Sequence, residues 1–112
     1  MRGEVWWVDF GGGPAGSEPK FSRPAVIIQS DDFERLNTLI VVPTTSQLRR
    51  ASQSGSVRIK AGIGGLQEDS VALCHQLTCL DRSRLVEKLG ELRQEELSEI
   101  EIAVAYVLGL AL

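Results

Sequence analysis

Three short stretches of the 112-residue chain hold side chains whose types and placement suit chemistry on a phosphate group. Arg23 follows a Gly-rich loop and stands directly before Pro24, which forces its backbone into an extended conformation at the entrance to the apolar run Ala25-Val26-Ile27-Ile28. An arginine there is either a solvated surface charge or a fixed guanidinium fork for phosphate. Thr44-Thr45-Ser46-Gln47 follows Pro43 at the end of a second apolar run; it reads as a plain turn or as hydroxyls and an amide presented at a strand end. Gly16-Ser17-Glu18 sets a carboxylate in the long loop that precedes Arg23. The single histidine, His75, is the one side chain whose unperturbed pKa lies between about 5 and 8, and it reads as a packed ring or as a proton carrier. Signatures of other chemistry are missing, with no phosphate-loop lysine motif and no nucleophile elbow. Cys74, His75 and Cys79 lie too close together on one expected strand to converge on zinc, so neither a metal nor a cofactor is expected.

Positioning these groups falls to a small domain. The length fits one unit over residues 1–112 that buries about two thirds of its unfolded surface in a single core. Hydrophobic residues make up 43% and charged residues 24%, ordinary globular usage that argues against disorder, collagen and coiled coil. No apolar run approaches ~18 residues, so no membrane span is expected, and Met1-Arg2-Gly3-Glu4 does not open a secretory signal. Two cysteines make no disulfide framework, and the expected compartment is a reducing cytoplasm. The net charge of −3 is unevenly spread. Residues 20–60 carry seven bases (Lys20, Arg23, Arg35, Arg49, Arg50, Arg58 and Lys60) against three acids, while residues 81–112 hold seven acids and four bases. A basic middle and an acidic tail let a polyanion dock on one side only.

Glu4 to Phe10 is short, aromatic and strand-like, and Gly11-Gly12-Gly13-Pro14 stops it. Pro24 to Gln29 and Thr38 to Val42 read as buried strands, with Ser30 placed to cap a helical turn between them. Val57 to Lys60 alternates like a half-exposed strand. Ser70 to Leu80 reads as one further strand, with Val71, Leu73, His75 and Leu77 sharing a face. The last third changes period. Leu97, Ile100, Val104, Val107 and Leu108 predict an amphipathic helix from about Gln94 to Leu108, preceded by a shorter helix around Asp81 to Val86. Five or so strands and a terminal helix predict a mostly β fold, a small antiparallel barrel with helices packed outside.

The order of these pieces resembles one family. Arg2-Gly3-Glu4-Val5-Trp6, Gly16-Ser17-Glu18 and Ser22-Arg23-Pro24-Ala25-Val26 are similar to the opening of the MazF/PemK toxins, Val42-Pro43-Thr44-Thr45-Ser46 to their second motif, and Gly65-Leu66 with Ser70 to Gln76 to their third. The resemblance implies an SH3-like barrel that forms a homodimer and cleaves single-stranded RNA at short preferred sequences without a metal ion, leaving a 2′,3′-cyclic phosphate and a 5′-hydroxyl. It also implies a cytoplasmic toxin restrained by an antitoxin whose disordered acidic tail occupies the RNA site. Arg23 and Thr45 take the places of the family's arginine and threonine, and Glu18 that of its loop glutamate; His75 stands where some members carry an aspartate. Glu18 and His75 are the candidates for the general base, and Trp7, Lys20, Ser46, Gln47, Arg49 and Gln76 for RNA contact. Gly11-Gly12-Gly13-Pro14-Ala15 departs from the usual Asp-Pro-Thr run. The rival readings are a non-nuclease toxin of related fold that binds a topoisomerase, and a non-catalytic barrel that binds nucleic acid or peptide.

Overall fold

The computed structural model describes residues 1–11 and 21–111. Its strands are β1 (Glu4–Asp9), β2 (Ser22–Ile27), β3 (Thr38–Thr45), β4 (Ser56–Ile59), β5 (Ser70–Leu73), β6 (Thr78–Asp81) and β7 (Leu85–Glu91), followed by the helix α1 (Gln94–Leu108). The antiparallel sheet runs β4-β5-β3-β2-β1-β7, and β6 pairs with the part of β3 that β5 does not reach. β3 is therefore the spine: β2 pairs along one edge, and β6 and β5 share the other.

The mostly β architecture and the terminal helix match the sequence expectation, and Ser30 does cap a turn at Asp31–Phe33, its hydroxyl accepting from the Asp32 N–H at 3.2 Å. Two segments differ. Ser70 to Leu80 is broken by a one-turn helix at Cys74–Gln76. The register explains it. Thr45 faces Val71, whereas Val41 faces Thr78, so the segment running along β3 carries three extra residues and the turn absorbs them. Cys74 is consequently buried while His75 is exposed, and no single face carries Val71, Leu73, His75 and Leu77. The expected helix at Asp81 to Val86 is a single turn at Arg82–Arg84, capped by Asp81, which accepts from the Ser83 N–H at 2.8 Å. The chain then enters a seventh strand. β7 breaks register with β1 at two places, so its side chains do not follow the clean alternation that marks a strand in sequence.

The end strands β4 and β7 do not pair, so hydrogen bonds leave the barrel open. The turn at Ile63–Gly65 covers that seam by lying against β7. A Cβ on Gly65 would sit 2.0 Å from the Leu89 carbonyl oxygen, so only glycine allows the two backbones to meet. Both faces of the central strands are covered. Val5, Val26, Val42 and Ala72 pack on one side with Ile59, Leu66 and Ile100 of α1, and Val8, Ala25, Ile27, Leu39, Val41 and Leu80 form a second cluster on the other. Burial on both faces is why β2 and β3 read as continuous apolar runs. Full burial of a side chain the size of Ile100 contributes about 1.5–3 kcal/mol, enough to fix the helix against the sheet.

Candidate active site

Pro24 and Pro43 set the geometry of the site. β2 and β3 pair through Ala25–Pro43, and continuing that register by two residues places Arg23 across from Thr45. At the intervening level Pro24 has no N–H to exchange with its partner, and the Thr44 hydroxyl donates to the Pro24 carbonyl at 2.8 Å, keeping the strands together where the ladder is weakened. Thr44 is 1% exposed, so this bond is shielded from water. Arg23 and Thr45 thereby line one open cleft of about 880 Å³, together with Trp7, Pro24, Ser46, Leu66 and Glu68.

The electrostatics of Arg23 are unusual. Burial first, and the neighbouring charge of Arg50 second, hold its guanidinium below its ordinary pKa, yet it remains a cation at any working pH. Among the described residues it makes no ion pair and no side-chain hydrogen bond. A partly desolvated cation beside another cation, with no ion pair among the described residues, is the arrangement an incoming phosphate stabilises. Thr45 accepts the Gln47 N–H on its hydroxyl oxygen at 3.2 Å, which orients the side chain and leaves the O–H proton free to donate.

The sequence-derived candidates divide by location. Arg23, Thr45, Trp7 and Ser46 line the cleft together. Gln47 and Arg49 lie just beyond it at the turn Leu48–Ser52, joined by a bond from Arg49 Nη2 to Gln47 Oε1 at 3.3 Å. Glu18 and Lys20 fall outside the described residues. His75 and Gln76 line a second groove of about 1,090 Å³, with Phe10, Arg50 and Arg84, and do not line the first. Arg50 belongs to the second groove and acts on Arg23 in the first, so the two are electrostatically continuous. Sequence reasoning missed Glu68 and Glu87, both exposed carboxylates that line the cleft. Glu87 was hidden because β7 was not recognised as a strand; Glu68 had a usable signal in its place between the Gly64-Gly65-Leu66 turn and β5. Exposed Trp7 offers a ring on which an unpaired base can stack.

Comparison with known proteins finds relatives along nearly the whole chain. The family model for PemK-like, MazF-like toxins of type II toxin–antitoxin systems matches residues 1–108. The chain is 37% identical over 111 residues to Endoribonuclease MazF of Staphylococcus saprophyticus, covering 97% of this chain and 91% of the relative. It is 34% identical over 110 residues to Endoribonuclease EndoA of Bacillus subtilis, covering 97% and 94%. The crystal structure of MazF from Deinococcus radiodurans superposes with a TM-score of 0.81 at 26% identity, covering 96% of this chain and 94% of that one.

Proposed function

The chain belongs to the PemK-like, MazF-like toxin family of type II toxin–antitoxin systems, and on that premise we propose that it is an endoribonuclease acting on single-stranded RNA at the Arg23–Thr45 cleft. The observation that carries the assignment is the pairing of an arginine that makes no ion pair among the described residues with a hydroxyl donor on the next strand of one cleft. A topoisomerase-binding or purely binding barrel needs neither group, and the endoribonuclease relatives weigh on the same side.

The mechanism follows from the charges. The 2′-hydroxyl of one nucleotide attacks the adjacent phosphorus, and negative charge builds on the phosphoryl oxygens. Arg23 meets that charge with a planar fork of N–H donors, and the Thr45 O–H adds one more bond. The P–O5′ bond then breaks, leaving a 2′,3′-cyclic phosphate and a 5′-hydroxyl. Arginine is a poor proton acceptor, so deprotonation falls to another group. Glu18 remains a candidate, whereas His75, in the neighbouring groove with Gln76, is assigned to RNA contact. Trp7, Lys20, Ser46, Gln47 and Arg49 complete the binding surface. The site of action is the cytoplasm, where such RNA is found, and the natural restraint is an antitoxin whose acidic tail competes for the same cations.

We also infer a homodimer. Ile102, Tyr106 and Leu110 recur at four-residue spacing along α1 and its end, and are 59%, 70% and 60% exposed, an apolar stripe that the described residues leave uncovered. Light scattering at micromolar protein is expected to give twice 12.2 kDa; a constant monomer mass contradicts this part of the reading. The nuclease is tested by incubating purified protein with a long single-stranded RNA in chelator and identifying the product ends. Discrete fragments with cyclic phosphate and 5′-hydroxyl ends are expected, and intact RNA overturns the assignment.

A further inference from the structure

We infer that the Glu68 carboxylate is the group that takes the 2′-hydroxyl proton, an assignment that rests on the ribonuclease reading of the same cleft. Three observations carry it. Glu68 lines the cleft with Arg23 and Thr45, whereas His75 lines the other groove. Its loop is pinned on both sides: the Ser70 hydroxyl donates to the Glu68 carbonyl at 2.9 Å, the Ala61 N–H donates to Asp69 Oδ1 at 2.9 Å, and the Gly62 N–H donates to the Leu66 carbonyl at 2.7 Å. The backbone is thus held while the carboxylate stays uncommitted, with no ion pair or side-chain hydrogen bond among the described residues. Arg23 and Glu68 share a cleft without closing on each other as a salt bridge, so a phosphate and its 2′-hydroxyl can enter between opposite charges.

The loop also stands on the correct side of the site. It leads directly into β5, whose Val71 is the cross-strand partner of Thr45. With Thr45 and Arg23 addressed to the phosphoryl oxygens, Glu68 is assigned to meet the attacking hydroxyl from the β5 side of the cleft. The step balances as follows. Glu68 accepts the proton of the 2′-hydroxyl as the O2′–P bond forms; the P–O5′ bond breaks, the departing oxygen takes a proton from water, and Glu68 later returns its own proton to solvent.

The test uses full-length protein, a single-stranded RNA that it cuts, and the same RNA with a 2′-deoxy nucleotide at the cleaved position. The unaltered protein is expected to show a cleavage rate that falls on acidification, as protonation removes the base. Glu68→Gln is expected to lower kcat by 10²-fold or more and to flatten that fall, with affinity for the deoxy RNA unchanged within about twofold. Glu68→Asp is expected to keep part of the rate and the acid limb. The inference is overturned if Glu68→Gln keeps both rate and pH profile, if its loss is explained by weaker binding of the deoxy RNA, or if the acid limb disappears in Glu18→Gln or Glu87→Gln instead. Failure of the unaltered protein to cut any RNA would overturn the nuclease reading itself, and this inference with it.

Discussion

Replacing Arg23 by alanine separates what this residue does for the fold from what it does for the reaction. The guanidinium makes no ion pair among the described residues, and burial together with Arg50 lowers its pKa. The sign is informative. A base whose pKa is lower in the folded chain binds its proton less tightly there, so its charge opposes folding at every accessible pH. Arg23→Ala is therefore expected to melt at the same temperature as the parent or slightly above it. Catalysis should respond in the opposite sense. Losing one preorganised donor to a developing oxyanion costs about 10²–10³ in rate, and Arg23 offers a charged fork, which puts the expectation at about 10³-fold, or roughly 4 kcal/mol in the barrier. Arg23→Lys keeps the charge without the planar fork and is expected to fall between the two. The assay is single-turnover cleavage of end-labelled RNA, with a thermal melt of each variant. A melting temperature that collapses in Arg23→Ala, or cleavage at the parental rate, refutes the reasoning.

Thr45→Val removes one hydrogen bond to the phosphoryl group and is expected to slow cleavage at least about tenfold, since such a bond is worth roughly 1–3 kcal/mol, with Thr45→Ser restoring most of the rate. His75→Asn is expected to weaken RNA binding several-fold and leave the single-turnover cleavage rate of bound RNA unchanged; a large fall in that rate would move the imidazole into the proton transfer. Glu96 is 7% exposed at the start of α1 and accepts from Arg93 Nε at 2.9 Å; that bond holds its carboxyl below the usual range. Its contribution is therefore present above the unfolded carboxylate pKa and fades as pH falls through the lower folded value. Glu96→Gln should lower the melting temperature at neutral pH, and the difference from the parent should narrow in acid. Gly65→Ala places a Cβ 2.0 Å from the Leu89 oxygen at a φ of +77°, so a loss of about 2–3 kcal/mol or more is expected in chemical denaturation, and an unchanged midpoint contradicts the seam contact.

What the sequence made legible tracks how locally each feature is encoded. α1 was readable to the residue because its apolar stripe and its Gly109 stop, at φ +71°, act over neighbouring turns. β2 and β3 were readable because burial on both faces leaves an unbroken apolar run. The turn at Cys74–Gln76 was not, because it is imposed by a register shift against β3, a partner some thirty residues away. β7 escaped because its two register breaks against β1 scramble the period of two. The same distinction governs the site. Arg23 and Thr45 announced themselves through adjacent prolines and strand ends, whereas Glu68 and Glu87 enter the cleft only through the closure of the sheet. That closure also assigns His75 and Gln76 to another groove.

The placement of Pro24 and Pro43 links the fold to the chemistry. A proline inside a central strand pair removes a ladder donor and is ordinarily excluded there. Here Pro24 and Pro43 fall where β2 and β3 approach the cleft, and each immediately precedes or follows a residue used there: Arg23 before Pro24, Thr44 after Pro43. Fixing φ at these two positions restricts the backbone beneath Arg23 and Thr45, and restricting Arg23 to extended conformations removes alternatives that would let its side chain fold back onto the surface. The buried Thr44 hydroxyl restores the connection that the missing N–H withdrew. The pair thus weakens the sheet locally while stiffening the two strand ends that hold the cation and the hydroxyl. Preorganisation of this kind is what allows donors to meet developing charge without reorganising during the reaction. It also accounts for how a partly desolvated arginine beside Arg50 is held at the cleft with no ion pair among the described residues: the backbone restricts it there.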